Sequence, residues 1–540
     1  MGFRVNTAGR VNQGHFAKVP ANIAAPRSAF DRSRPHKTTI QEGYLYPILW
    51  QTILPGDTIN MTLNALIRLA TPIFPYMDNL YADIHAFFVP NRLLWIHWEQ
   101  FQGAKDNPDD TTEYEVPSLD DATHAAGFSE LSIYDYFGLP TKVTAIPQAD
   151  MPIALPLRAY NKIVNDWYRD ENLQDSLTLD TGDGPDTTNY QLFKRNRRKD
   201  YFTSCLPWPQ KGPSVSLPLS GSLPVLGIGQ DQLTGLWSAG SSGAMYESNG
   251  ASRTYAHYTS TSFGAVSNHY FIEENPDHTG YPNLHVDLAD GTSVSINELR
   301  ESIVLQQMLE LDARGGTRYV EILLARFGVV SPDFRLQRAE YIGGETFDIN
   351  VNPIAQTAPT SGSNAQGQLA AFAVGRGKAA INHSFVEHGQ LICMLSLRAD
   401  TTYQQGMHRD WSVRSRYDYY EPLAANLGEQ AVLNKEIYMQ GVTLEDNAVF
   451  GYQERWAEQR YSPGIITGLF RSNAAASLDS WHLAVDFDDL PALEDVIPES
   501  PPVARIVAVP SQPHFIADTW TRFKHVRVMP VYSAPGLTRL

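Results

Sequence analysis

Cysteine is nearly absent. Cys205 and Cys393 are the only two in 540 residues, and they lie far apart in the chain. A single bridge would add little to a protein this long, so two free thiols in a reducing compartment are expected. Structural zinc, which needs four ligands in close pairs, is not suggested by them. No run of eighteen apolar residues occurs, so no membrane insertion is expected. The first residues, MGFRVNTAGR, carry no apolar signal core, and Asn6 stands where a myristoylation signal wants Ser or Thr. Catalytic signatures are missing as well: there is no HExxH, GxSxG, Walker P-loop or CxxC. GRGKAA at 375–380 has the composition of a phosphate loop without its spacing. His383, Glu387 and His388 fit no familiar zinc pattern, and Asp486, Asp488 and Asp489 read as an acidic loop before a calcium or acid–base site. No catalytic residue, metal or cofactor is therefore assigned.

Apolar residues, by contrast, make up 43% of the chain and aromatics 11%, enough to bury a large core. With 35 prolines and 38 glycines spread along its length, the chain is turn-rich, as all-β proteins are. Its formal net charge is −17, but the charge is uneven. Residues 1–41 hold Arg4, Arg10, Lys18, Arg27, Arg32, Arg34 and Lys37 against Asp31 alone. A basic arm on an acidic body suits contact with a polyanion, or docking on an acidic neighbouring subunit. A second cationic knot is KRNRRK, with Lys194, Arg195, Arg197, Arg198 and Lys199, followed at once by Tyr201, Phe202 and Trp208. Cations for phosphates and π faces for bases are the ingredients of a single-strand platform, although a solvated loop ahead of buried aromatics has the same composition.

Residues Ile59, Met61, Leu63, Ala65, Ile67 and Leu69 alternate with a polar set broken only by Leu66, which predicts a half-buried strand. Ala82, Ile84, Ala86 and Phe88 predict a second, ended by Pro90, and Leu391, Cys393, Leu395 and Leu397 a third. DTWTRFKHVRVMPVY has strand propensity without clean alternation. Helices are predicted over NRLLWIHWEQFQG, from Pro156 onward, after a capping box of Ser295 and Glu298, and over 319–327. Between Gly212 and Gly291 the texture turns rich in Gly, Ser, Thr and Tyr, too long for a plain loop, and reads as an inserted subdomain. Residues 352–368 read as a mobile surface loop. The fold class is therefore mainly β, an eight-stranded jelly-roll sandwich with long helical and loop insertions. Its parts are a basic arm (1–41), a first part of the jelly roll (42–211), an inserted subdomain (212–291) and the remainder (292–540).

Several longer blocks, among them YFTSCLPWPQKG (201–212), LDARGGTRYVEILLARFGVVSPDFRLQRAEYIGG (311–344), LGEQAVLNKEIYMQG (427–441) and VFGYQERWAEQRY (449–461), resemble the major capsid protein of Microviridae, the small single-stranded DNA phages, in its gokushovirus branch. The resemblance runs from the arm to the C-terminus. It implies a non-enzymatic shell subunit with a viral jelly roll. Copies would assemble through pentamers into an icosahedral T=1 capsid around a circular single-stranded DNA genome. The virion would form in the host bacterial cytoplasm. The inserted segment would form surface protrusions that meet a bacterial host surface receptor. A DNA pilot protein and an internal scaffolding protein are the other virion partners that the family implies. The alternative reading is a carbohydrate-binding or carbohydrate-active jelly-roll protein, motivated by Trp-rich and Asp-rich loops. On the leading reading the arm and some of Lys194, Arg195, Arg197, Arg198 and Lys199 face DNA, with Arg522, Lys524 and Arg527 of the terminal strand as weaker candidates. Replacing Arg195, Arg197 and Arg198 with Gln is then expected to spare the shell and lower its genome content.

Overall fold

The alternation between Thr58 and Leu69 folds as read: Ile59, Met61, Leu63, Ala65, Ile67 and Leu69 all face inward, none more than 2% exposed. The computed structural model describes residues 26–213 and 296–532 except 106, 108, 110, 363 and 364, together with 215 and three short strands between 245 and 271. Its strands are β1 (Arg27–Asp31), β2 (Arg34–Ile40), β3 (Tyr46–Ile53), β4 (Thr58–Leu69), β5 (Leu80–Pro90), β6 (Met245–Glu247), β7 (Ser252–Arg253), β8 (Tyr270–Phe271), β9 (Glu340–Ala355), β10 (Leu369–Ser384), β11 (Gly389–Ala399), β12 (Glu429–Leu433), β13 (Val449–Glu454) and β14 (Phe515–Val528). The chain divides into two compact units, one of residues 1–209 with 315–540 and one of 210–314.

In the larger unit, one antiparallel sheet runs β1-β14-β4-β10-β9-β5-β11-β3, and β2 lies on the same edge of β14 as β1. The sheet curls over on itself at the β9–β10 hairpin. Residues 340–349 of β9 pair with β5, whereas 349–355 pair with 369–375 of β10, whose remainder pairs with β4. Two layers result, β2-β14-β4-β10 and β3-β11-β5-β9, and these eight strands form the jelly roll. Glycine makes the curl possible. A Cβ on Gly377 would overlap the Phe347 ring, and one on Gly375 would crowd Ile349. GRGKAA is thus a strand segment, and its glycines admit the facing layer. Residues 352–368 are a loop only from 356 to 368, because β9 and β10 run into both ends of that stretch.

The core between the layers joins β4 to Ile84, Leu391, Leu395, Leu397 and Phe523. β11 is buried on both faces, since Ile392 and Met394 point into a second core with Phe87 and Val89. That second core is the insertion after β5. It includes Trp95 and the helix Leu155–Ile163, whose Leu155, Leu157, Tyr160 and Ile163 cover the outer face of the β5–β11 layer. Pro156 sits in its first turn as expected. Asn91–Gly103 is not one helix. It is a 3-10 turn (Asn91–Leu93) and a single helical turn (Trp98–Phe101), separated where Trp95 is fully buried and donates to Asp183 Oδ1 at 2.7 Å. A third core under β12 and β13 gathers Tyr201, Phe202, Cys205, Val432 and Phe450.

The smaller unit contains the three-stranded sheet β7-β6-β8 and the helix Ile296–Arg314. Leu299, Ile303, Val304, Met308 and Leu311 of that helix are exposed, not core. Its expected N-cap, Ser295, lies outside the described residues, as does most of 212–291. Cys205 and Cys393 are both free and buried.

Candidate nucleic-acid interface

The KRNRRK knot is a structural clasp. Arg195 is 9% exposed and Arg197 7%. Arg195 Nη1 donates to Asp83 Oδ2 and, at 2.7 Å, to Ser396 Oγ. Arg398 Nε donates to the same Asp83 oxygen at 2.9 Å, and Thr346 Oγ1 to Oδ1 at 2.6 Å. Burial alone would push the Asp83 carboxyl up, but Arg195, with Thr346 and Arg398, outweighs it and holds it below the usual carboxylate range. Arg197 is bonded through its backbone to Ile497 and through Nε to the Pro498 carbonyl at 3.2 Å. It lies beside buried Glu499, whose carboxyl burial pushes up against the opposing pull of Arg197. Lys199 is ion-paired with Asp170, and Lys194 stands over the Tyr44 ring. Arg198 is exposed, 6.0 Å from the Tyr81 ring.

Of the knot's five cations, two are unavailable to an outside polyanion. Arg195 and Arg197 are withdrawn from solvent and committed to internal acceptors, because a carboxylate buried beneath them needs a counter-charge. Only Lys194, Arg198 and Lys199 retain exposed charge. Tyr201 and Phe202 are buried, and Tyr201 Oη donates to Glu436 Oε2 at 2.8 Å, so neither offers a face to a base. Trp208 is half-buried.

Cations gather instead on the outer face of the β2-β14-β4-β10 layer. Register places Asp518 beside Lys37 on one side, and beside Leu66 and then Arg376 on the other. The next row outward runs Trp520, Asn64, Lys378. Beyond it lie Arg522 beside Thr62, and Lys524 beside Asn60, with Arg68 at the opposite end of β4 next to Ile516. Residues paired across strands share a face; neighbouring strands lie about 4.8 Å apart, and successive rows on one face, two residues on, about 6–7 Å. Arg68, Arg376, Lys378, Arg522 and Lys524 are all exposed and form no ion pair among the described residues. The acids on this face are Asp518, paired with Lys37 at 3.2 Å, and Asp31, which accepts from Ser33. Trp520 stands among the cations with its side 48% exposed, and Phe372 lies further along β10. Unlike the other layer, this one carries no covering helix on its outer side among the described residues.

Other candidates scatter. Arg27 donates to the Gly56 carbonyl and Thr58 Oγ1 at the edge of this face. Arg34 donates to the Trp50 carbonyl, and Arg32 approaches His525 Nδ1 at 3.4 Å. Arg527 does not face outward. It points to the opposite side of β14, where its guanidinium grips buried Asp57 at 2.9–3.2 Å. Arg4, Arg10 and Lys18 lie outside the described residues. Sequence reasoning missed Arg68, Arg376, Lys378 and Trp520 as a group: Arg376 and Lys378 stand in GRGKAA, Trp520 in DTWTRFKHVRVMPVY and Arg68 in the β4 alternation, three runs far apart in the chain. Only strand register brings three strands' exposed positions together. Glu387 is ion-paired with Arg92 and His388 packs on Trp98, while His383 packs on Phe385. Among the described residues no His, Cys, Asp and Glu group could hold a metal ion.

An uncovered sheet with unpaired cations around an exposed indole can hold a flexible polyanion with unstacked bases. Comparison with known proteins gives that chemistry its setting. The model of the family described as capsid protein (F protein) matches residues 17–537. The capsid protein VP1 of Bdellovibrio phage phiMH2K is 44% identical over 98% of both chains, and that of Chlamydia phage 1 is 42% identical over 98% of both. The capsid protein VP1 of Spiroplasma virus 4 is 36% identical over 94% of this chain and 95% of its own. All three are structural proteins of gokushovirus-type Microviridae, which sets aside the reading as a carbohydrate-active enzyme. With a jelly roll that agrees and a match over nearly its whole length, this chain belongs to the capsid protein (F protein) family.

Proposed function

We propose that this protein is the major shell subunit of a single-stranded DNA phage, and that the bare outer face of β2-β14-β4-β10 lines the interior against the genome. The observation that carries the second part is the set Arg68, Arg376, Lys378, Arg522 and Lys524, without an ion pair among the described residues, around exposed Trp520, on the layer that no described helix covers. Phosphates confined in a shell repel one another, and cations facing them offset part of that repulsion. The basic arm from Arg4 to Lys37, with Lys194, Arg198 and Lys199, would add to the same lining. Assembly through pentamers into a T=1 shell, attachment to a host receptor by the 212–291 insertion, and service by pilot and scaffolding proteins in the bacterial cytoplasm complete this reading. It draws on the family resemblance for support.

The test substitutes Arg376, Lys378, Arg522 and Lys524 with Gln together. Shells should still form, since these side chains are exposed and unpaired, while the DNA per particle falls. Normal packaging by that variant would overturn the assignment of this face.

A further inference from the structure

The exposed cations of the bare face do not run straight along any one strand. Arg522 and Lys524 stand in successive rows of β14. Toward Phe515 the next row of β14 carries Trp520, and the one after it Asp518. That carboxylate, although paired with Lys37, disfavours phosphates continuing along β14. On β10 the charges occupy the other two rows. Lys378 shares the row of Trp520 and Arg376 that of Asp518, whereas Ala380 and Asn382, in the rows of Arg522 and Lys524, carry no charge. The positive track therefore follows β14 for two rows, crosses β4, and follows β10 for two more. It crosses at the row Pro35, Trp520, Asn64, Lys378.

Asn64 has a fixed orientation at that crossing. Its Nδ2 donates to the Trp520 carbonyl at 3.3 Å. A carbonyl only accepts, so the amide nitrogen is turned to β14 and Oδ1 is left as an acceptor. The Trp520 indole beside it is 48% exposed, with Pro35 on its other flank. Two residues of strand rise about 7 Å, and the four rows span about 20 Å. A row step of that size is comparable with the step between successive phosphates of an extended single strand. We propose that one single-stranded DNA segment follows this track, with phosphates on Lys524 and Arg522 and then on Lys378 and Arg376. At the crossing it lays one base on Trp520 and donates a Watson–Crick N–H of that base to Asn64 Oδ1. A paired base has that donor occupied and its faces stacked, so a duplex fits neither part. The proposal rests on the reading of this face as the genome lining, and adds the path, the base slot and the requirement for unpaired bases.

Methylation of thymine at N3 removes the donor and leaves phosphates and ring in place. The probes are a labelled octathymidylate and its fully N3-methylated counterpart, bound to the unsubstituted full chain and followed by anisotropy across a salt series. The unmethylated probe should bind about two- to ten-fold more tightly, the worth of one hydrogen bond. Asn64→Ala should bind both alike, with Tm unchanged. Gln at Arg522 and Lys524 together, or at Arg376 and Lys378 together, should each lower the salt slope by about 1.4, two phosphates at roughly 0.7 each. One oligonucleotide should bind per chain. Equal affinity of the unsubstituted chain for the two probes would overturn the base slot. A slope that only one pair of cations lowers, or two oligonucleotides per chain, would overturn the single track. In both cases the genome-lining reading stands, provided that binding of the unmethylated probe weakens with salt. If the unsubstituted chain shows no salt-dependent binding, that reading fails and takes the track with it.

Discussion

Asp83 shows how a charge decides the role of its neighbours. Buried on β5 between β11 and β9, it is held ionised by Arg195, Thr346 and Arg398. Removing one partner of such a pair strands the other in a low dielectric, at a cost of about 3–5 kcal/mol. Arg195→Ala should therefore lower Tm sharply, while Arg198→Gln, on an exposed side chain, should leave it nearly unchanged. By the same reasoning the Arg195, Arg197, Arg198 triple Gln variant should fail to fold into shells, a reversal of the expectation drawn from composition. Calorimetry of the single variants separates the two accounts. The pH dependence has a definite sign. A carboxyl held below its ordinary pKa stabilises the fold above about pH 4, and loses that contribution as pH falls through the lowered value. His514 works the other way. Its bond to Glu42 at 2.8 Å outweighs burial and raises its pKa. Its contribution is complete below about pH 6.5 and fades as pH rises through the raised value. His514→Gln should thus cost more Tm at pH 6 than at pH 9. Burial pushes both thiols up, Cys393 to about 12, so alkylation should label neither until the chain is unfolded.

At the scale of elements, the β9–β10 hairpin carries the curl of the sheet. Gly377→Val would drive a branched side chain into the Phe347 ring. Such overpacking costs typically 1–3 kcal/mol and more where backbone must shift. The expected outcome is a lowered unfolding midpoint in urea, partly restored by Phe347→Ala, which vacates the space. The outer face of β4, β10 and β14 should behave as one electrostatic surface. Each exposed cation removed should lower the slope of log binding against log salt by roughly 0.7 for single strands. Trp520→Ala should instead weaken binding by about 1–3 kcal/mol per stacked base and leave that slope alone. Filter binding of a mixed-sequence oligonucleotide across a salt series distinguishes these effects. β4 was legible as a strand because every inward residue is aliphatic. β14 was harder, since Thr519, Thr521 and His525 face inward with Ala517 and Phe523. Neighbours distant in sequence receive two of them: Thr519 Oγ1 donates to the His36 carbonyl, and His525 Nε2 lies 2.9 Å from Asp57 Oδ2 without a hydrogen bond to it. Alternation was present in the fold and hidden in the letters.

For the whole molecule, the shell reading predicts megadalton particles or rings on sedimentation, where an isolated binding protein would run as a small oligomer. Limited proteolysis of intact particles should cut within 216–290 before any site in 43–210 or 295–540, if the insertion projects from the shell. Equal protection of that segment would remove the case for a surface protrusion.

Composition, the alternation of β4 and the resemblance of the long family blocks pointed, from sequence alone, to a mainly β capsid protein with a jelly roll. These are properties of local pattern, or of many residues at once, and no partner has to be known to read them. Which cations are free was decided only by tertiary structure. KRNRRK and the arginines of the bare sheet are the same residue types. Arg195 lies over Asp83, more than a hundred residues away in sequence, and is neutralised there, whereas Arg376 and Lys378 come to lie beside Trp520 only through the register of three strands. A charge's function depends on its nearest opposite charge, and that neighbour is chosen by the packing.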